Sequence, residues 1–400
     1  MVIQILLYLI AAAAIIAAAI DLIPVWKSWF GRIHIGRYDD RRVWSRALTA
    51  RGLKWLSRMP AVKVTDNTRL IALDMLRGNY TKSAIQHWQE AALLLGLGEY
   101  LRQNDDPAVR QSIQSFLDSK LDGGGRWKEQ PKHVDTAILA YAILSLDFIG
   151  SDRVEPAMHA VWELIREHLG TDGTVSYRQS VKGYRYVDTV GFICPFLVAY
   201  GLKYGRPECV DLAVKQITEY EQHGMLEPHH IPVHAYNVEN HVPLGLYGWG
   251  RGLGWFAIGL IDAWSQLPPD HRHKPVLERS VERYAEAVMR FQQPDGSWRW
   301  TVTRGECRPD SSAVATLAWF LQGASAIGRI SVECRLSAEA AMRYLMGVTR
   351  RSGAVDFSQG DTKDIGVYST LFDVLPFTQG YAIRAVNRYL NTFHEKGEPR

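Results

Sequence analysis

Residues 132–144 read KHVDTAILAYAIL and residues 185–197 read RYVDTVGFICPFL; each sets the triplet Val-Asp-Thr where a polar loop turns into an almost wholly apolar run. The two acids, Asp135 and Asp188, therefore hold equivalent positions in a repeated unit. A repeat of this kind implies helical hairpins stacked so that equivalent loop ends, and equivalent carboxylates, face one cavity.

Outward from these two stretches the chain alternates between two helix types. Residues 275–291 are amphipathic, with Val276, Leu277, Val281, Tyr284, Ala285, Val288 and Met289 recurring at three- and four-residue spacing among Glu and Arg. Residues 311–326 (SSAVATLAWFLQGASA) carry no charge, the pattern of a helix buried on every side. Amphipathic segments fall near 43–59, 106–120, 153–169, 207–222, 272–293 and 332–348. Apolar segments follow each, near 84–101, 133–148, 187–204, 252–266, 311–326 and 373–391. Six outer and six inner helices predict an all-α (α/α)6 barrel, a toroid of six hairpins, because each hairpin must stack on neighbours to bury its apolar face.

Composition agrees with one large globular unit. The 400 residues are 47% hydrophobic and 22% charged, which permits an extensive core and excludes global disorder. A net charge of +4 without a basic run gives no reason to expect a nucleic-acid partner. Cys194, Cys209, Cys307 and Cys334 show neither CxxC pairing nor metal-ligand spacing, so no metal and no cofactor is expected. Thirteen Trp and eighteen Tyr are many; some belong in the core, and a surplus in loops suits stacking against sugar rings or other flat ligands.

The N-terminus is distinct. Val2 to Ile23 is apolar except for Gln4, Tyr8 and Asp21, long enough to cross a bilayer. Residues 1–24 are accordingly expected to be a transmembrane or signal-anchor helix, 25–42 a linker, and 43–400 the barrel. Lys27, Arg32, Arg37, Arg41 and Arg42 follow the apolar run, partly offset by Asp39 and Asp40, which favours a tethered domain on the cytoplasmic face. A cleaved signal peptide and secretion is the rival, although no Lys or Arg precedes the run.

The outer-to-inner loops repeat too: Asp122-Gly123 with Trp127, Asp172-Gly173 with Tyr177, Asp295-Gly296 with Trp298, and RRSGAVDF at 350–357. Asp-Gly is turn chemistry, and these three aspartates are read as turn formers. These loops all emerge at one end, so the pocket is expected there. Asp135 and Asp188 can be read either as helix N-caps or as catalytic acids. Bulky or polar neighbours favour the latter: Lys132 and His133 beside the first, Tyr184, Arg185 and Tyr186 beside the second. Loop four adds His229, His230, His234, Tyr236 and His241; Pro228 and Pro232 argue against the regular helix that an HExxH zinc site requires. Trp249-Gly-Arg251-Gly-Leu253-Gly-Trp255 places a fixed cation suited to a carboxylate between two indoles. His133, Tyr186, His234, Tyr236, Trp249, Arg251, Trp255 and Trp298 are the expected substrate-binding residues. Asp310-Ser311-Ser312 reads as a cap, and Asp356 to Thr362 with Tyr368 as the remaining rim.

Together these pieces resemble the unsaturated uronyl hydrolases of glycoside hydrolase families 88 and 105, from about Trp44 to the last helix. The matching segments are Val187-Asp188-Thr189 leading to Cys194-Pro195-Phe196-Leu197, His234, the Trp249–Trp255 motif, Gln293-Pro-Asp-Gly-Ser-Trp298, Ser311–Ala315, and Gly353 with Ser358-Gln359-Gly360. The resemblance implies an (α/α)6 barrel that hydrates the C4=C5 bond of a terminal 4,5-unsaturated uronic acid left on an oligosaccharide by a polysaccharide lyase. It implies Asp188 as general acid and base, Asp135 as a second active-site acid, and His234, Arg251 and Trp255 in the pocket. It also suggests Arg251 or Lys182 as partner for the uronate. The chain departs from the pattern at Leu253, where asparagine is frequent, at the segment NHVPLGLY (240–247), which lengthens loop four, and in its N-terminal apolar run. Another six-hairpin glycosidase or lyase, a toroidal cyclase (though no DxDD acid motif is present) and a non-catalytic, membrane-tethered glycan-binding protein are the alternatives.

Overall fold

The computed structural model describes residues 1–60, 65–78 and 87–394. Six helices form an inner ring: α4 (His87–Leu101), α6 (Thr136–Leu144), α8 (Val187–Lys203), α10 (Gly250–Gln266), α12 (Ser311–Ala324) and α14 (Pro376–His394). Each packs on the next, and α14 returns to α4, so the ring is closed. The outer layer is α2 (Arg41–Ser57), α5 (Pro107–Lys120), α7 (Ser151–Glu167), α9 (Pro207–His223), α11 (Lys274–Arg290) and α13 (Ser331–Gly347). The toroid of twelve alternating helices is as the periodicity predicts; residues 84–86 of the first inner segment, and 395–400 of the expected domain, lie outside the described residues.

The two layers differ for the reason visible in the sequence. On α11 the buried side chains are Leu277, Val281, Tyr284, Ala285 and Val288 with their small neighbours, a single stripe. On α12 nearly every residue from Ser311 to Leu321 is buried, because α10, α13 and α14 surround it. Local chemistry starts the helices. Asp106 accepts hydrogen bonds from the amides of Ala108 and Val109 at 3.0 and 3.2 Å, and Pro107 occupies the first helical position.

Closure of the ring depends on glycine. A Cβ on Gly380 of α14 would lie 2.1 Å from the Ala92 carbonyl oxygen of α4, and one on Gly96 would lie 2.4 Å from the Gly380 oxygen. The backbones of the first and last inner helices therefore touch directly. The axis is pinned lower down by a buried ion pair, Arg384 Nη1 to Asp262 Oδ2 at 2.6 Å, with the Trp319 indole donating to Asp262 Oδ1 at 2.7 Å. These bonds join α10, α12 and α14.

Two features go beyond the helical pattern. Short antiparallel strands, β1 (Tyr184–Tyr186), β2 (Met225–Leu226), β3 (Ile231–Asn237) and β4 (Pro243–Tyr247), pair in the order β1-β3-β2, with β4 also on β3. Loop six contributes a second pair, β5 (Ser358–Gln359) with β6 (Phe372–Asp373). The N-terminal helix α1 (Val2–Arg32) also runs through Pro24 rather than stopping there, so residues 25–32 are a docked helix, not a free linker. Arg32 explains the docking: its guanidinium bonds both oxygens of buried Asp356, at 2.7 and 3.0 Å, and the Phe372 carbonyl at 3.1 Å. Arg350 completes the cluster by donating to Asp356 at 2.7 Å. A short helix, α3 (Ile71–Leu76), lies in the first outer-to-inner connection.

Because Gly380 meets backbone and not a flexible side chain, Gly380→Ala is expected to cost at least the ~1–3 kcal/mol typical of overpacking. The check is the denaturant midpoint; a midpoint equal to that of the wild type would show that α14 does not close on α4 as described.

Candidate active site

The inner helices all begin at the loop end of the barrel, and a cleft opens there. Its lining combines Trp88, Tyr177, Arg178, Tyr186, Asp188, Phe192, His234, Trp249, Arg251, Trp255 and the loop-six segment Asp361 to Asp364.

The small sheet positions the first pair of side chains. Tyr186 ends β1 and α8 starts at once, so Asp188 stands in the first turn of that helix. Register pairs Tyr186 with Ala235 on β3, which brings the neighbouring His234 over the start of α8. His234 Nε2 lies 3.7 Å from Asp188 Oδ2. That contact is not an ion pair: burial and the Arg251 charge push the imidazole down to about 4, so the ring is neutral at pH 7. His234 Nδ1 meets the Tyr368 hydroxyl at 3.1 Å, and that hydroxyl also accepts from the Leu246 amide at 2.9 Å. With the hydroxyl proton given to Nδ1, the assigned tautomer carries its hydrogen on Nε2, toward Asp188.

Asp188 does not cap its helix; Oδ2 has no hydrogen-bond partner among the described residues. Its side chain is only 17% exposed. Burial pushes the carboxyl up to about 7, against the opposing pull of Arg251 and of its own backbone amide, with the Asp361 charge adding to the rise. The helix N-terminus favours the anion, but that effect is on the order of 1 kcal/mol, less than the desolvation it opposes. Asp310 shows the contrast. It accepts from the Ser312 amide at 2.9 Å and the Ser312 hydroxyl at 2.7 Å, an ordinary cap as its sequence suggests.

Asp135 also fails to cap. It sits at the start of α6 with helical backbone angles and no capping bond. Instead Oδ2 accepts from the His87 amide of α4 at 3.1 Å, and Oδ1 has no partner among the described residues. It is buried and is not among the residues that line the cleft. Burial raises its pKa, while His87 and His133 oppose the rise. Asp135 and Asp188 nevertheless share neighbours: the charges of both raise the Tyr177 phenol, and Asp135 also raises Asp361. Asp361 borders the open cleft, yet protein surrounds it elsewhere, and burial holds its carboxyl above the usual range.

The aromatic residues divide into lining and core. Trp255 packs edge-on against Phe192 at 4.6 Å and Trp88 at 5.7 Å, forming an apolar floor. Trp249 lies 4.7 Å from His234 and 5.4 Å from Tyr368, and its indole donates to Gln359 Oε1 at 2.9 Å. Tyr177 and Tyr186, 5.3 Å apart, make the opposite wall. Trp298 does not reach the cleft: it is fully buried and donates to the Val288 carbonyl of α11. Tyr236 does not line the cleft either; it packs on Tyr220 and His223, with ring centroids 5.3 and 6.0 Å away. His133 is exposed at the surface and outside the lining. Of the four loop-four histidines only His234 lines the cleft; His230 turns to Glu221 and His241 stacks on His223.

Arg251 is buried and reaches the site, but three of its bonds go to loop six. Nη1 donates to the Gln359 carbonyl and Nη2 to the Gly360 carbonyl, both at 2.7 Å, and Nη2 to Thr362 Oγ1 at 3.3 Å. It holds that loop in place and supplies positive potential, more than it offers a free fork to a ligand. Lys182 does not line the cleft either; Arg178 and Lys363 do. Trp88, Phe192, Arg178, Lys363 and Asp364 are the lining residues that the sequence reading missed. Trp88 and Phe192 were hidden inside runs that read as inner-helix core. The NHVPLGLY segment proves to be the turn and β4 of a hairpin that shelters His234 and Tyr368.

No curated protein sequence matches the chain. Among solved structures, a possible member of glycoside hydrolase family 105 from Salmonella enterica aligns at 18% identity with a TM-score of 0.74, over 89% of this chain and 96% of that one. The unsaturated glucuronyl hydrolase from Bacillus sp. GL1, responsible for degradation of glycosaminoglycan, aligns at 16% identity and TM-score 0.66, over 87% and 96%. A polysaccharide lyase shares the fold at 14% identity and TM-score 0.64, over 90% and 99%. These likenesses establish a common architecture, and the family model decides membership within it. The model for Glycosyl Hydrolase Family 88 matches residues 61–390, most of the 400-residue chain, so the protein belongs to that family and is a glycoside hydrolase.

Proposed function

We propose that this enzyme hydrates the C4=C5 bond of a terminal 4,5-unsaturated uronic acid on an oligosaccharide, with Asp188 as both acid and base. The observation that carries this reading is a carboxyl pushed up to about 7, with a free oxygen, on the wall of an aromatic cleft. The ring of such a substrate is a vinyl ether. Protonated Asp188 gives its proton to C4, the π electrons form the new C–H bond, and the ring oxygen shares the positive charge left at C5. The resulting carboxylate takes a proton from water as the water oxygen bonds to C5. The product hemiketal opens by breaking C5–O5, and the hemiacetal this creates at C1 expels the neighbouring sugar. One water is consumed and Asp188 ends protonated.

Other residues take supporting roles in this proposal. Neutral His234 presents Nε2–H beside the reacting acid. Trp249 and Tyr177 flank the ring, and Arg178 and Lys363 are the cations available to the uronate, since Arg251 is engaged with loop six. Asp135 acts through the field and through the start of α4, since it is not among the residues lining the cleft and its Oδ2 is engaged by the His87 amide. The support from relatives is that the Bacillus protein named above is an unsaturated glucuronyl hydrolase. We further propose that α1, whose apolar stretch is long enough to span a bilayer, anchors the enzyme to a membrane with the barrel on the cytoplasmic face.

Incubating the full chain in detergent with lyase-digested pectin or glycosaminoglycan oligosaccharides should bleach the alkene absorbance. Asp188→Asn should abolish the decay, and Asp135→Asn should slow it less severely. Absence of decay on both substrate sets, or wild-type decay in Asp188→Asn, would overturn the proposal. Because the protonated acid starts the reaction, kcat should fall by up to about tenfold per pH unit above the Asp188 pKa of about 7.

The same shift predicts an effect on stability. The unfolded carboxyl ionises near 3.8 and the folded one near 7, so stability falls as pH rises between them and the full cost applies above 7. At about 1.4 kcal/mol per unit, that cost is at most on the order of 4 kcal/mol. Asp188→Asn should therefore raise Tm at pH 8, with the gain shrinking toward pH 4. An equal Tm difference at both pH values would show that the carboxyl is not held protonated by the fold.

A further inference from the structure

The way α1 leaves the barrel bears on what lies against the open end. From Val2 to Ile16 every residue is exposed, and contact with the rest of the chain begins at Ala17. Fifteen free residues give a rod of about 22 Å, short of the roughly 30 Å of a bilayer's hydrocarbon. The apolar run extends to Ile23, and the missing depth is its last part, Ala17 to Ile23.

That part of α1 is not alone at its depth. Asp21, the acid at the foot of the run, accepts hydrogen bonds from the amides of Leu70 and Ile71 at 2.7 and 2.8 Å, which fastens α3 beside it. Ile71 and Asp74 turn inward, while Leu70, Leu73, Met75 and Leu76 point out. Leu70 is 61% exposed and Leu76 84%. Exposed Arg69 and Arg77 stand at either end of this apolar tip. Leucines that water would disfavour, bracketed by arginines whose long stems let the charge reach headgroups, fit a bilayer interface. The position on the barrel matters as well. α3 belongs to the connection between α2 and α4, so it stands at the same end as Asp188; exposed Val242, Leu246 and Val367, in the β3–β4 hairpin and loop six, belong to that end too.

We propose that α3 is a second membrane contact: its leucine face sits in the leaflet crossed by the base of α1, and the open end of the barrel is turned toward the lipid surface. This rests on the reading of α1 as a retained membrane span. Bilayer depth then runs continuously from the free rod to the α3 tip, and substrate reaches the cleft sideways, along the membrane.

The test uses the full chain with Cys307→Ser, reconstituted in vesicles of phosphatidylcholine and phosphatidylglycerol; the other cysteines are buried. An environment-sensitive fluorophore is attached at Leu76→Cys, with reference probes at Ala12→Cys in the rod and Leu202→Cys at the far end of α8. A lipid-borne nitroxide should remove most of the emission at positions 76 and 12 and little at 202, and aqueous iodide should do the reverse. If 12 is quenched from the lipid while 76 behaves like 202, α1 spans the bilayer but the barrel stands clear of it, and the proposal fails alone. If 12 and 76 both behave like 202, the anchor reading falls and takes the proposal with it. A probe at 76 shielded from iodide yet untouched by the nitroxide would mean that protein, such as a second copy, covers α3, which also overturns it.

Discussion

The closed ring of parallel inner helices is the constraint from which the rest of the molecule follows. It closes because α14 and α4 meet backbone to backbone at Gly380 and Gly96. Once closed, the starts of the inner helices, including those of α6 and α8, are gathered at one mouth. An acid near the start of one of these helices is then beside acids and aromatic rings brought by the others, whatever its distance in the chain.

Electrostatics at that mouth are settled by burial. A carboxylate at a helix start ordinarily finds donors there, and Asp310 with its two Ser312 bonds is a case in point. Asp188 occupies a similar place on α8 but has an unpartnered oxygen, aromatic neighbours and a second acid in Asp361. Desolvation outweighs the helix field, and the group is held near the pH at which it can both give and take a proton. The neutral state of His234 follows from the same low-polarity surroundings, with the Arg251 charge reinforcing it.

Loop six links this site to the N-terminal helix. On one side Arg251 holds the carbonyls of Gln359 and Gly360; on the other, Arg32 and Arg350 hold Asp356. Between them runs the segment that carries Asp361 into the cleft. The end of α1 is therefore part of the structure that shapes the cleft, and α1 and the barrel are not independent modules.

The sequence alone determined the alternation of helix types, the ring of six hairpins, the apolar N-terminal helix and the two Val-Asp-Thr acids, because hydrophobic period and turn chemistry are local properties. It also singled out Asp188, Tyr186, His234, Trp249, Arg251 and Trp255, all of which line the cleft. Only the tertiary structure decided what each of them does there. Arg251 reads as a ligand for a carboxylate until its partner, 108 residues away, is seen to be a loop carbonyl. The tautomer of His234 depends on Tyr368, 134 residues away. Trp298 and Trp88 are both tryptophans in plausible places, yet one is core and the other lines the cleft. Side-chain type and spacing carry no record of which faces meet after the ring closes, and that meeting fixes burial, hydrogen-bond partners and proton affinity.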